Sequence, residues 1–348
     1  MIVTNIQYMK LINLMACGAL ALVGVSCTSS DVIDDVLTSE VNRIGFTTNV
    51  SKNSRAVTND NFNRFFVYAT YSLPTQPNPV NVFNGDLVSK GDAGWTYSGD
   101  RYWVPEGSYD FYAYSCDNQQ MNPNVGGTAA FNQRVLRING FVSNANHQHD
   151  LLFAKTLGQT RTPHVDGVTP PQVAFRFSHV LTRVIFTFKS SYPSGYTITV
   201  SNPRVINFCD TGDFNGETET WEDVTRSDEN VTLSLSLKNG IADITSTPVS
   251  TAPIYMIPFM YNRANVLLEF EVHVKKDGED VLGRTITATW QPQWAAGHSL
   301  NNEITITGGR TGLDPIRFSA SIVGSEGSNE DGWKDESGNL SGIVFEAH

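Results

Sequence analysis

The fold is decided by residues 173–188, which read VAFRFSHVLTRVIFTF. Apolar side chains alternate through the whole stretch, at odd-numbered positions in its first half and at even-numbered positions in its second. They are Val173, Phe175, Phe177, Val184, Phe186 and Phe188. Because neighbouring side chains of a β-strand point to opposite faces, one straight strand cannot bury both sets on one face. The stretch therefore predicts two strands, joined by a bulge or a change of sheet near residues 178–182.

The same two-residue alternation recurs along the chain, whereas the spacing of amphipathic helices is nearly absent. It is found at residues 196–200, 231–237, 266–274, 286–290 and 316–322. Such alternation is typical of antiparallel sheets that bury one face against another sheet. The 28 glycines and 15 prolines supply turns between strands. We predict an all-β protein.

Polar loops indicate where the chain divides. Residues 156–171 are polar and end in two prolines, so we place a domain boundary there. A chain of 348 residues usually forms two domains. The predicted segments are a signal peptide at residues 1–26, a tether at 27–40, an N-terminal domain at 41–171 and a C-terminal domain at 172–348.

The N-terminus is typical of a secretory signal peptide. An apolar run at residues 11–25, broken only by Asn13, is too short to span a bilayer comfortably. Small residues before Cys27 fit lipoprotein processing, so Cys27 is the predicted site of lipid attachment. Cys17 fits the local pattern better, but a cut there would leave apolar residues 18–25 on the mature chain. The residues after Cys27 are polar and acidic and predict a flexible tether.

Charge and cysteine content exclude some classes of function. The formal net charge of −11 argues against binding to nucleic acid and against electrostatic attachment to anionic lipid. Of the four cysteines, only Cys116 and Cys209 lie in the predicted folded part, and their spacing indicates neither a disulfide framework nor a zinc site. Whether these two pair is left open.

No motif for catalysis is present, and we expect a protein without enzymatic activity, cofactor or metal. His147 and His149 would share one face of a strand, but they lie in an Asn-rich segment that favours a solvated loop. Residues 211–222 match a calcium loop only partly, because threonine is a poor first ligand. His179 lies at the predicted change of sheet, where a structural role is favoured over a ligand role.

Four aromatic residues lie close together around a predicted hairpin turn: Trp95, Tyr97, Tyr102 and Trp103. An exposed platform of such rings could bind sugars or proteins. Their spacing at alternate positions favours a place in the core.

Several segments, taken in order, carry a family resemblance. They are residues 102–105 (YWVP), 109–114 (YDFYAY), 150–154 (DLLFA), 175–184 (FRFSHVLTRV), 295–306 (AAGHSLNNEITI) and 316–318 (IRF). Together they resemble the fimbrillin-type pilins of Bacteroidetes, which are subunits of type V pili. His298 and Leu300 depart from the aromatic residues usual in that pattern.

The resemblance implies two tandem antiparallel β-sandwich domains with a transthyretin-like topology. It also implies a precursor that reaches the outer membrane as a lipoprotein and is then cut after an arginine by a trypsin-like protease. The cut releases the lipid and the first strand, and a strand of another subunit replaces the lost one by donor-strand exchange.

Residues 41–51 are the predicted first strand, with Ile44, Phe46, Thr48 and Val50 on one face. A polar segment that contains Arg55 follows, so Arg55 is the predicted cleavage site. Arg43 is the second choice, because a cut at the start of the strand would leave the strand in place.

The C-terminal segment with Ile343, Val344 and Phe345 is apolar and follows a polar linker. It is either the donor strand for another subunit or the last strand of its own domain, and both interpretations stay open.

We therefore predict a structural pilus subunit or pilus-associated adhesin at the cell surface, with other pilin subunits as partners and the outer-membrane lipid as the precursor's anchor. The alternative is a surface-anchored glycan-binding lipoprotein that does not polymerise. The ligand on a host or bacterial surface, and the place of the subunit at the stalk, tip or base, do not follow from the sequence.

Overall fold

The computed structural model describes residues 42–50, 61–75, 78–104, 106–132, 134–160, 172–228, 231–237, 240–258, 265–290, 292, 294–309, 312–313, 317–322 and 344–347. These residues form strands, turns and loops without an α-helix, which confirms the prediction of an all-β protein. No helix in this described part of the chain is long and apolar enough to cross a membrane.

The strands are numbered in chain order. They are β1 (Gly45–Val50), β2 (Arg64–Ser72), β3 (Val80–Gly91), β4 (Gly94–Tyr97), β5 (Ser108–Cys116), β6 (Thr128–Asn132), β7 (Val135–Val142), β8 (Leu151–Thr160), β9 (Gln172–His179), β10 (Thr182–Ser190), β11 (Tyr196–Ile206), β12 (Cys209–Asn215), β13 (Thr220–Arg226), β14 (Thr232–Ser234), β15 (Ile241–Asp243), β16 (Val249–Ser250), β17 (Ile254–Met256), β18 (Val266–Lys276), β19 (Glu279–Trp290), β20 (Ser299–Ile306), β21 (Gly308–Gly309), β22 (Gly312–Leu313), β23 (Arg317–Ile322) and β24 (Val344–Ala347).

The first sheet has seven strands in the order β1-β9-β8-β5-β2-β3-β4. All neighbours run antiparallel except β1 and β9, which are parallel and in register from Gly45 opposite Gln172 to Val50 opposite Phe177. Apolar side chains of this one sheet surround a common core, so the sheet curls around its own inner face. The strand β1 lies at one edge.

Residues just before β1 bridge the gap to the other end of the curled sheet. The Ile44 amide donates to the Arg101 carbonyl at 2.8 Å, and the Trp103 amide donates to the Asn42 carbonyl at 2.8 Å. Arg43 and Tyr102 form an antiparallel bridge between them. The start of the first strand is thus bonded to the chain that follows β4.

A four-stranded sheet, β13-β12-β7-β6, covers the outer face of the first sheet. Tyr68 of β2 packs against Phe131 of β6, and Phe153 of β8 meets Phe214 of β12 edge to face at 5.0 Å. The strands β12 and β13 come much later in the chain than β6 and β7, so this sheet joins strands that are distant in sequence.

Most of the remaining strands form a sandwich of two sheets, and β21 and β22 pair as a separate two-stranded sheet. One has the order β16-β10-β20-β23 with β17 also paired to β10, and the other has the order β14-β11-β18-β19-β24 with β15 paired to β11. Phe188 of the first sheet meets Phe270 of the second edge to face at 5.1 Å. The two sheets pack face to face and are antiparallel except for the parallel pair β10 and β20, which confirms the predicted β-sandwich class. The transthyretin-like topology stays a prediction.

The change of sheet predicted within residues 178–182 is confirmed. The strand β9 ends at His179 in the first sheet, and β10 begins at Thr182 in the sandwich. Backbone pairing therefore continues across residue 171, because β9 pairs with both β1 and β8. The division into domains at residues 171 and 172 stays a prediction.

Candidate functional site

The first strand presents one apolar face to the core of its sheet. Ile44, Phe46 and Val50 are buried, with exposed fractions of 0%, 3% and 1%, whereas Thr48 is half-buried. Thr47 and Asn49, at the intervening positions, are exposed. The alternation arises because the sequence of β1 places small or polar residues between apolar ones.

Phe46 fills the centre of an apolar slot. Its ring lies 5.6–6.2 Å, between centroids, from five other rings contributed by β2, β3, β4, β5 and β9: Phe65, Phe83, Tyr97, Phe111 and Phe175. We call the surface that these five rings and the edge of β9 form beneath β1 the first-strand groove.

Burial of side chains gives the first strand considerable binding energy. Burying an aliphatic or phenyl side chain contributes about 1.5–3 kcal/mol. Ile44, Phe46 and Val50 together then contribute roughly 5–9 kcal/mol, an upper bound because the unfolded chain already buries some apolar surface. If the chain were cut after β1, this strand would therefore stay bound in the first-strand groove until another strand displaces it.

Polar contacts hold the start of the strand. The Arg43 guanidinium lies 3.3 Å from the Asp100 carboxylate and 5.0 Å from the centroid of the Tyr97 ring. The Tyr97 hydroxyl donates to the Ile44 carbonyl at 2.8 Å. Burial raises the pKa of Tyr97, and the nearby positive charge of Arg43 opposes that rise. No local pattern in the sequence indicates these contacts of Arg43, which the sequence marks only as a possible cleavage site.

The corresponding first strand of the sandwich, β10, is enclosed instead. It runs parallel to β20 on one side and antiparallel to β16 and β17 on the other. Among the strands that the structure describes, β1 alone has a parallel neighbour and also lies at a sheet edge, from which it can separate.

Two residues from separate motifs meet between the sheets. The His179 Nδ1 atom lies 2.9 Å from a carboxylate oxygen of Asp150, and both side chains are fully buried. Asp150 directly precedes β8 and His179 ends β9, so the contact ties these strands where the chain leaves the first sheet. The geometry favours the structural role expected for His179.

The metal-binding alternatives find no support in the described residues, where no group of three or more potential ligands is present. His149 pairs with Asp117 at 3.0 Å. In the segment considered as a calcium loop, Arg137 lies 2.8 Å from Glu222, and Lys155 bonds the Glu217 carbonyl at 2.6 Å. The segment is the β12–β13 hairpin. Its Glu222 carboxylate and Glu217 carbonyl contact the side chains of Arg137 and Lys155.

The aromatic cluster around the β3–β4 hairpin belongs mainly to the core. Trp103 is 2% exposed, and Trp95 packs against Phe62 and Phe65 at 5.5 and 5.0 Å. Tyr97 is one of the five rings that form the first-strand groove. These rings do not form an open platform of the kind that a glycan-binding surface needs.

Cys116 and Cys209 are free, buried thiols. Burial raises the pKa of Cys116 well above its usual range and raises that of Cys209 to about 11. The open question of their pairing is thus answered by the structure in favour of two unlinked thiols.

Other predicted site residues lie at or beyond the margins of the described chain. Cys27, Arg55 and Ile343 are outside the described residues. Val344 and Phe345 belong to β24, whose backbone pairs with Thr289 and Ala288 of β19.

Comparisons with known proteins give one family match and several similar solved structures. A family model described as fimbrillin-like matches residues 48–322. Among curated proteins, none matches the chain. Similar solved structures include a putative cell adhesion protein from Bacteroides ovatus ATCC 8483, with 17% identity over 80% of this chain and 96% of that chain and a TM-score of 0.45. Another is the fimbrial anchor protein Mfa2 from Porphyromonas gingivalis, with 11% identity over 80% of this chain and 98% of that chain and a TM-score of 0.33.

Proposed function

Because the chain belongs to the fimbrillin-like family, we propose that it is a structural, non-enzymatic subunit of a surface pilus, or an adhesin associated with one. In this proposal the protein is exported as a lipoprotein and assembles by donor-strand exchange after proteolytic removal of its first strand.

The single observation that carries the proposal is the position of β1. It is an edge strand whose alternate side chains fill an apolar groove of the same sheet. Its removal would expose the backbone donors and acceptors of β9 beside that groove. A strand of another subunit can satisfy both the backbone groups and the groove at once.

Repetition of this contact builds a filament. Each subunit would receive a strand at one surface and give a strand from another, and a head-to-tail contact of this kind need not close into a ring. The segment with Ile343, Val344 and Phe345 is the candidate donor. Since the backbone of β24 pairs with β19 in this structure, donation requires that pairing to break.

Processing would act on the chain between β1 and β2. We assign the cut to Arg55, which follows the first strand in sequence. The peptide bond after Arg43 is a poor target for the protease in the folded protein. The backbone of Arg43 bridges Tyr102, and its side chain contacts Asp100. Cys27 would carry the lipid of the precursor, so a cut after Arg55 would separate the lipid from the pilin.

Limited digestion with trypsin tests the assignment. We expect N-terminal sequencing to find a first cut after Arg55, while Arg43 resists as long as the protein is folded. In a Lys52→Ala background, which removes the other trypsin site of this segment, Arg55→Ala should remove the cut, and Arg55→Lys, which trypsin still recognises, should retain it. Cleavage at other sites while Arg55 stays intact would contradict the proposal.

A further inference from the structure

One end of the first-strand groove is acidic and aromatic. Asp100 and Tyr97 flank the place of Arg43, at 3.3 Å from its guanidinium and 5.0 Å from the ring centroid respectively. The rest of the groove is apolar, so this end alone offers a negative charge and a ring face to the strand that lies in it.

The acidic end is held in place independently of β1. The Arg101 side chain, next to Asp100, donates to the Val82 carbonyl at 3.0 Å and forms an ion pair with Asp86 at 3.5 Å. Arg101 also lies over the Phe83 ring, 5.7 Å from its centroid. Because these contacts all go to β3, loss of β1 leaves Asp100 anchored at the mouth of the groove.

Main-chain bonds fix which residue of a bound strand meets Asp100. The Arg101 carbonyl accepts from the amide of the first buried apolar residue, Ile44, and the Trp103 amide donates to the carbonyl of Asn42. A strand that takes up the same bonds must place the residue before its first buried apolar residue opposite Asp100. An uncharged residue there would leave the carboxylate without its cation.

We infer that the first-strand groove selects an incoming strand from a different chain, one that carries a basic residue directly before its first buried apolar residue. The inference rests on the proposed function and specifies the partner that the groove accepts. It assigns Arg43, Asp100 and Tyr97 to recognition rather than to processing.

The chain's own C-terminal segment lacks this feature. When Phe345 is aligned with Phe46, Gly342 falls at the position of Arg43. Shifting this alignment by one residue in either direction places Ser341 or Ile343 there, and the latter also puts Glu346 at the buried position of Phe46. The segment would thus suit the groove of a different subunit better than the groove of a second copy.

The selectivity should be modest. Arg43 and Asp100 are partly exposed, at 30% and 56% of their side-chain surface, so water and salt weaken their attraction. An exposed ion pair and a cation–π contact together favour the basic residue by about three- to tenfold in affinity.

Peptide exchange into a nicked full-length chain tests the inference. A recognition sequence for a specific protease, inserted between residues 51 and 60, allows nicking that does not depend on Arg55. A fluorescent peptide with the sequence of residues 41–51 is then bound to the groove and competed with unlabelled peptides. We expect the native peptide to compete about three- to tenfold better than its Arg43→Ala form. A peptide of residues 340–348 should improve by a similar factor with Gly342→Lys.

The protein variant Asp100→Asn identifies the source of the difference. It should reduce the difference between the native and Arg43→Ala peptides to the part that Tyr97 contributes, while the matched control Asp92→Asn, in the exposed β3–β4 turn, should preserve the full difference. Equal competition in the unaltered protein, or a difference that is undiminished in Asp100→Asn, overturns the selectivity alone. If no peptide enters the groove at all, both the selectivity and donor-strand exchange are refuted.

Discussion

Phe46 of β1 and Phe175 of β9 stack with ring centroids 5.8 Å apart and ring planes 12° from parallel. The pair joins the strand that the proposed mechanism removes to the strand whose edge its removal would expose. Stacked aromatic rings contribute beyond the area that they bury. The contact therefore helps to hold β1 against β9 in the precursor until another strand displaces β1.

Truncation of Phe46 should weaken the packing of the first strand in its groove. We expect Phe46→Ala to lower the free energy of unfolding by about 3–5 kcal/mol, because it removes a fully packed phenyl ring and leaves a cavity. Thr47→Ala, on the exposed face of the same strand, should cost less than about 1 kcal/mol. Urea denaturation followed by tryptophan fluorescence measures both values, and a similar effect of the two substitutions would contradict the described register.

The buried pair of Asp150 and His179 should be important for stability. Asp150→Ala removes the buried carboxylate that the His179 imidazole contacts, and we expect a loss of about 1–3 kcal/mol in the free energy of unfolding. Asp92→Ala, at an exposed turn, serves as the control and should have little effect. A loss below about 1 kcal/mol for Asp150→Ala would show that the pair does not hold the strands together.

The buried thiols give a pH-dependent prediction. The reactive form of a cysteine is the thiolate, and burial raises the pKa of Cys209 from 9.0 to about 11. In the folded protein, Cys209 should stay unlabelled by iodoacetamide at pH 8 and should gain reactivity only as pH rises toward 11. Because the unfolded thiol loses its proton first, near pH 9, the contribution of Cys209 to stability is fully present below that pH and is lost between about pH 9 and 11.

Peptide mapping by mass spectrometry identifies which cysteines react. Denaturant should expose Cys116 and Cys209 to labelling at pH 8, which provides the control. Equal labelling in the folded and unfolded protein, or a peptide in which the two residues are linked, would contradict the structure.

Lipid attachment is predicted at Cys27. Expression of the full chain in a bacterium that processes lipoproteins should give an N-terminal fragment with the added mass of a lipid. Cys27→Ala should abolish this mass and Cys17→Ala should leave it unchanged. An unmodified Cys27 in the mature chain, or loss of the lipid only in Cys17→Ala, would refute the assignment.

Local patterns revealed much of the fold. The switch in parity between Phe177 and Val184 was sufficient to place a change of sheet, since burial on one side of a strand imposes a period of two residues. The alternation at Ile44, Phe46 and Val50 likewise identified one buried face. Periodicity succeeds here because it depends on neighbours along the chain.

Contacts between distant segments were not predictable in the same way. Nothing in the sequence near Asp150 indicates that His179 lies beside it, and nothing near Arg43 points to Asp100. The joining of β12 with β7 into one sheet is equally invisible, because strand pairing depends on the path of the intervening chain. The parallel pairing of β1 with β9 could not be predicted for the same reason.

The account depends most on the claim that the first strand can be replaced by a strand of another chain. Native mass spectrometry of the full chain before and after trypsin, with electron microscopy of the same samples, tests this claim directly. We predict that oligomers which have lost the N-terminal fragment appear only after the cut, that Arg55→Ala combined with Lys52→Ala prevents them, and that excess peptide of residues 41–51 suppresses them. Equal assembly by this double variant, or assembly that the peptide does not affect, would contradict the account.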